Sequence, residues 1–156
     1  MNLKLTIILF AFFSLQTIEL PKNIQKKVDK QIIETFQVET FQFDSFSIPK
    51  KVAENLPSKF EAHNFFQIQS NNTLLGYAYV SKAASKTDEF DYLVLLDTEL
   101  VVLKTKVLIY REDYGGEIGS KRWLKQFIGK TQNDSLKYGD NIMAISGATI
   151  SVRSMT

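Results

Sequence analysis

Near the carboxyl end of the chain, Ser146-Gly147-Ala148-Thr149 follows the apolar run Ile142 to Ile145 and precedes Ile150-Ser151-Val152-Arg153. Three small residues ahead of a hydroxyl make a turn that another molecule can approach closely, and the hydroxyl is a group that a phosphate can esterify. The pattern predicts a strand, a turn containing Gly147, and a helix beginning at Ile150 whose first N–H groups face whatever Thr149 carries. An anion suits that environment. The same four residues also read as a Ser/Thr helix cap, in which Thr149 satisfies backbone donors and nothing more.

Other chemistries are poorly supplied. Cysteine is absent, which removes disulfides, thiolate metal sites, iron–sulfur ligation and cysteine nucleophiles together. His63 is the one histidine; it follows an expected helix end and reads as a surface residue, so no Ser–His–Asp set can be assembled. No catalytic residue and no metal site is assigned. No Gly-x-Gly-x-x-Gly follows a strand, which weakens a nicotinamide-dependent reductase. Lys and Arg total 19 against 17 Asp and Glu, and a net charge of +2 without a clustered basic face argues against nucleic acid as a partner. Redox chemistry in such a chain has to come from a bound organic cofactor.

The elements that must position this turn are legible in outline. The chain has 156 residues, 44% hydrophobic and 23% charged, which suits one domain with one core. Residues 1–20 read as a signal peptide or an uncleaved anchor, because Met1-Asn2-Leu3-Lys4 is short and positive and Leu5 to Leu15 is apolar. Residues 21–62 read as a helical and extended region. Ile24, Val28, Ile32 and Phe36 recur every four residues from Pro21 to Phe36, with Lys22, Lys26, Lys27 and Lys30 expected on a solvated face. Val38 to Phe46 reads as a strand or extended connection, and Lys50 to Phe60 as a weak helix that Pro57 stops or kinks.

Residues 63–156 carry the rest. Phe65 to Gln69 and Leu74 to Val80 read as a hairpin, and Asp91 to Leu96 with Leu100 to Tyr110 as a second pair, giving an antiparallel meander with one face covered by helices. The fold class is α+β. Ser81 to Glu89 reads as a flexible loop. Glu112 to Gly119 joins the last strand to a helix capped by Ser120 and ended by Gly129, with Trp123, Leu124, Phe127 and Ile128 as its apolar stripe. Gly115 and Gly116 permit a backbone path close to a ligand.

In this order, the parts resemble the FMN-binding domain family found in flavin-bearing subunits of the Rnf complex and the sodium-translocating NADH:quinone reductase. The residues that carry the resemblance are Gly76-Tyr77, Asp97 to Val107, Glu112 to Gly119, Trp123 to Lys130 and Ser146 to Thr149, spanning about Phe65 to Arg153. Met143 stands three residues before the motif serine, where family members commonly carry aspartate.

The resemblance implies an exported electron-transfer protein that carries FMN. A separate Mg-dependent flavin transferase would join FMN to Thr149 through a phosphoester. Ser146, Gly147 and Ala148 would give the transferase access, Glu112, Gly115 and Gly116 would line the flavin, and Arg153 would lie near the phosphate as a counter-charge. Tyr77, Tyr79, Tyr110, Tyr114 and Trp123 are available for stacking on the ring. The expected partners are the transferase and redox proteins or a membrane electron-transfer complex, in a periplasmic, extracellular or outward-facing membrane-associated location. Two alternatives stay open: an exported interaction domain of the same fold without covalent flavin, and a subunit of a reductase complex.

Overall fold

Ile24, Val28 and Ile32 lie on one side of Lys22–Phe36, and in the computed structural model this segment is a 15-residue helix, α1, with that stripe buried. The structure describes residues 20–61 and 63–156, so the expected signal segment, apart from Leu20, lies outside the described residues. Gln37 ends α1 in the left-handed conformation (φ 54°). Strand β1 (Gln42–Ser45) and a single helical turn, α2 (Lys50–Ala53), follow. The helix expected as far as Phe60 stops early because it has no apolar stripe to bury: Val52 and Leu56 are both exposed.

Strands β2 (Phe65–Ser70), β3 (Thr73–Ala84), β4 (Glu89–Leu96) and β5 (Val102–Ile109) form an antiparallel meander, and β1 adds beside β2 to give the order β1-β2-β3-β4-β5. With its helices, this sheet makes the domain α+β. The segment Ser81 to Glu89 is not a flexible loop. Strand β3 continues to Ala84, which pairs with Glu89, and only residues 85–88 turn. Its small and polar side chains hide a strand whose backbone pairs with β4 and whose Ala83 enters the core.

Strand alternation sends apolar side chains to both faces of the sheet. Ala78, Val80, Leu93 and Leu95 meet Ile24, Val28 and Ile32 of α1. Ala83 and Phe90, with Tyr92 and Val107 beside them, meet a layer built from the carboxyl-terminal chain. Helices and turns therefore cover both faces, where the sequence pointed to one. Residues 21–61 belong to the same structure, through the α1 stripe and the β1–β2 pairing.

Strand β5 carries an extra residue at two places, and at the one nearer its end Asp91 pairs with Ile109 while Tyr92 pairs with Val107. Leu108 and Ile109 consequently both face α1, and Val107 and Tyr110 face the opposite layer. Lys27 Nζ donates to the carbonyl of Leu108, the extra residue, at 2.6 Å. This lysine, expected only on a solvated face, thus supplies a partner to an irregular strand edge.

The opposite layer is made of short pieces. Ser120 Oγ accepts from the Trp123 N–H (3.2 Å) and caps α3 (Lys121–Leu124), which passes into a 3₁₀ turn at Lys125–Phe127 before Gly129 (φ 78°). The single helix expected here is two tight turns. Thr105 Oγ1 donates to the Leu124 carbonyl (3.1 Å) and ties them to β5.

Gly76 sits just past an irregularity in the β2–β3 register, where a methyl group would overlap the Leu96 carbonyl oxygen. Relieving that overlap means separating β3 from β4. Gly76→Ala is expected to destabilise the protein by about 2–3 kcal/mol, read as a lower urea midpoint at unchanged m-value.

Candidate functional site

The run Ile142 to Ile145 is not the strand expected before the turn; its only ladder contact is an isolated bridge between Tyr138 and Ile142. Side chains of α3 and the following turn hold its backbone instead. Trp123 Nε1 donates to the Met143 carbonyl (2.7 Å), and the Met143 N–H donates to Gln126 Oε1 (2.7 Å). Ile142 and Ile145 point into the core, and the Met143 side chain is 58% exposed.

Helix α4 (Thr149–Met155) begins at Thr149, one residue earlier than expected, with Ala148 in the cap position and no side-chain cap. Thr149 is therefore not the helix cap. Ser146, Gly147 and Thr149 are exposed and Ala148 is buried, packed with Ile145 and Val152. The Thr149 hydroxyl has no hydrogen-bond partner among the described residues.

The glycine loop lies directly against this turn. Gly115 (φ 77°) would overlap the Ala148 side chain if it carried a methyl group, and Gly147 (φ 78°) sits against Tyr114 and Gly115. Both positions need left-handed backbone, and at Gly115 the close approach also excludes a side chain. Gly116 opens a 3₁₀ turn to Gly119 and itself faces open space, while Ile118 anchors that turn in the core.

A cleft of about 240 Å³ borders the turn, lined by Lys86, Tyr110, Glu112 and residues 147–151. Larger grooves along α1 (about 810 Å³) and between α1 and β5 (about 630 Å³) contain none of these residues. Inside the cleft most polar groups are already paired. The Tyr110 hydroxyl lies 3.1 Å from Ser151 Oγ. Glu112 accepts from the Thr87 N–H (2.6 Å), the Thr87 hydroxyl (2.9 Å) and the Asp88 N–H (3.3 Å). The Ser85 hydroxyl, whose short bond goes to the Asp88 carbonyl (2.6 Å), also faces this carboxylate. The Ser85 hydroxyl first, then the Thr87 amide, with the Thr87 hydroxyl and the Asp88 amide, hold its pKa down at about 2. Beside it, Arg111 bonds Asp91 Oδ2 (2.6 Å) and the Glu89 carbonyl (2.7 Å), so the chain leaving β5 is fastened to β4.

Glu112 lines the cleft and Gly115 lies against the turn, whereas Gly116 touches neither, and the Glu112 carboxylate is spent on residues 85–88. Arg153 is placed differently. Its guanidinium lies over the Tyr138 ring, 4.9 Å from the centroid, and it is not among the residues lining the cleft. The cation in the cleft is Lys86, which sequence reasoning missed because it stands in a turn remote in the chain. Of the aromatic residues offered for stacking, Trp123 and Tyr79 are buried, Tyr77 stacks on Phe65 (5.4 Å) and Tyr110 packs on Phe90 (5.7 Å). Tyr114, 78% exposed and in contact with the turn, is the one left open to solvent.

The chain matches no model of a known protein family, and no curated protein is detectably similar to it in sequence.

The Glu112 bonds lower its pKa from an ordinary 4.5, so their stabilising effect is complete above that value and is lost as pH falls through about 2. Amide exchange at Thr87 and Asp88 should stay slow at pH 3.5, and should become fast at that pH in Glu112→Ala. Gly115→Ala should force the loop off Ala148, destabilise the protein by about 2 kcal/mol and shift the amide resonances of residues 146–149.

Proposed function

We propose that the protein is an exported FMN-carrying electron-transfer protein whose flavin is joined by a phosphoester to Thr149. The observation that carries this reading is the Thr149 hydroxyl: exposed, without a partner among the described residues, preceded by small residues and open to a cleft. The site suits the group. Buried Ala148 and the glycine contact beneath it fix the backbone of the turn, so the hydroxyl is presented from a rigid base.

In the attachment step, Thr149 Oγ1 would be the nucleophile toward the flavin-side phosphorus of FAD, replacing the pyrophosphate P–O bond. AMP would be the leaving group, keeping the bridging oxygen, and the hydroxyl proton would be taken up by the transferase. When bound, FMN supplies one- and two-electron redox chemistry. Tyr114, exposed and adjoining Gly147 through its Cβ, is the aromatic residue on which the isoalloxazine would stack. The other hydroxyl and carboxylate groups lining the cleft are engaged, Ser151 with Tyr110 and Glu112 with residues 85–88. The redox partners would be separate proteins or a membrane complex.

Intact-mass analysis after co-expression with a flavin transferase tests this directly. The expected result is a gain of one FMN-sized adduct that disappears in Thr149→Ala. If no transferase yields an adduct, covalent attachment is wrong. An exported interaction domain, with the exposed Met143, Tyr114 and Ile150 as its apolar contacts, then becomes the better reading.

A further inference from the structure

Two polar residues that line the cleft beside the turn, Thr149 and Lys86, have side chains with no hydrogen bond or ion pair among the described residues. The others are committed. Tyr110 and Ser151 bond each other, and Glu112 is bonded by the backbone of Thr87 and Asp88 and by the Thr87 hydroxyl. A cation and a nucleophilic hydroxyl that share one small cleft, each free of competing bonds, are the pair that a phosphoryl group needs: one to form the ester, the other to balance the charge on its oxygens.

We infer that Lys86 is the residue that binds the phosphate ester at Thr149, both as the bond forms and in the finished flavoprotein. The inference rests on the attachment reading above and assigns the role of counter-charge to a residue other than Arg153. Its physical basis is the turn at residues 85–88. A lysine between two strands ordinarily samples many directions, but here the turn is fastened on both sides of Lys86. The Ser85 hydroxyl and N–H both bond the Asp88 carbonyl (2.6 and 2.8 Å), and Thr87 and Asp88 bond Glu112. Glu112 is a positioning residue in this arrangement. Its charge is turned toward those donors, while the long side chain of Lys86 borders the cleft.

As Thr149 Oγ1 attacks, negative charge builds on the non-bridging phosphoryl oxygens, and the diester that remains carries one negative charge. Lys86 Nζ donates to those oxygens without itself gaining or losing a proton. Because Lys86 forms no hydrogen bond or ion pair among the described residues, replacing it leaves the fold's own bonds intact.

The test compares wild type, Lys86→Ala, Lys86→Arg and Arg153→Ala for the initial rate of adduct formation with a flavin transferase, alongside their thermal melting. Lys86→Ala is expected to slow the reaction about tenfold, and Lys86→Arg to restore it to within about threefold. Arg153→Ala should leave the rate unchanged, and wild type, Lys86→Ala and Lys86→Arg should melt alike. Wild-type rates in Lys86→Ala, with the adduct still on Thr149, would overturn the role of Lys86 and leave the attachment reading standing. A second measurement separates failure of attachment itself: inorganic phosphate titrated into the unmodified protein, followed by amide resonances. If wild type takes no flavin, phosphate shifts at Lys86 and Thr149 that vanish in Lys86→Ala still support an anion site there. No shift at either residue rejects it.

Discussion

Leu93 and Leu95 of β4 point to α1, while Phe90 and Tyr92 of the same strand point the opposite way, and both sets must leave water. This two-sided burial governs the rest of the molecule. Each large apolar side chain removed from water contributes about 1.5–3 kcal/mol, so neither face can be left open without a large loss. One face is easily served, because α1 brings a continuous stripe. The other is covered by chain with little regular structure, and its backbone groups need partners supplied one at a time. Ser120, Gln126, Trp123 and Thr105 provide them.

The candidate site is a product of that covering layer. Ile142, Ile145, Ala148 and Val152 are buried together, and of the residues between them all but Ser151 are left outside. Thr149 follows the buried Ala148 and is exposed for that reason. The extra residue nearer the end of β5 brings Tyr110 to the same side of the sheet, where it meets Ser151, and Lys27 on the far side satisfies the carbonyl that the irregularity leaves over. Position at the site is thus set by contacts on both faces of the sheet, and the Gly115–Ala148 approach is one that leaves no room for a side chain on the glycine.

Where a segment's partner lay within its own pattern, sequence and structure agree. The period of α1, the hairpin around residues 71–72, the Ser120 cap and the glycine ending the Trp123 segment were all readable, because helix stripes, turns and caps are local physics. The extension of β3 to Ala84 was not, since Lys82, Ala83 and Ala84 become strand through pairing with β4 rather than by their own preference. Ile142 to Ile145 looked like a strand from its apolar content, yet Trp123 and Gln126 take up its backbone groups before any neighbouring strand can.

By itself, the sequence determined the α+β class, the two faces of α1, the glycines that allow a close backbone approach and the presence of a hydroxyl behind three small residues. Those follow from periodicity, from missing side chains and from residue chemistry, which need no knowledge of neighbours. Tertiary structure alone decided that Ala148 rather than Thr149 occupies the helix cap, that Glu112 fastens residues 85–88, that Arg153 rests on Tyr138, and that Lys86 borders the cleft. Each of these is a contact between residues distant in the chain, and a charge has no address in a sequence until folding has placed its partners.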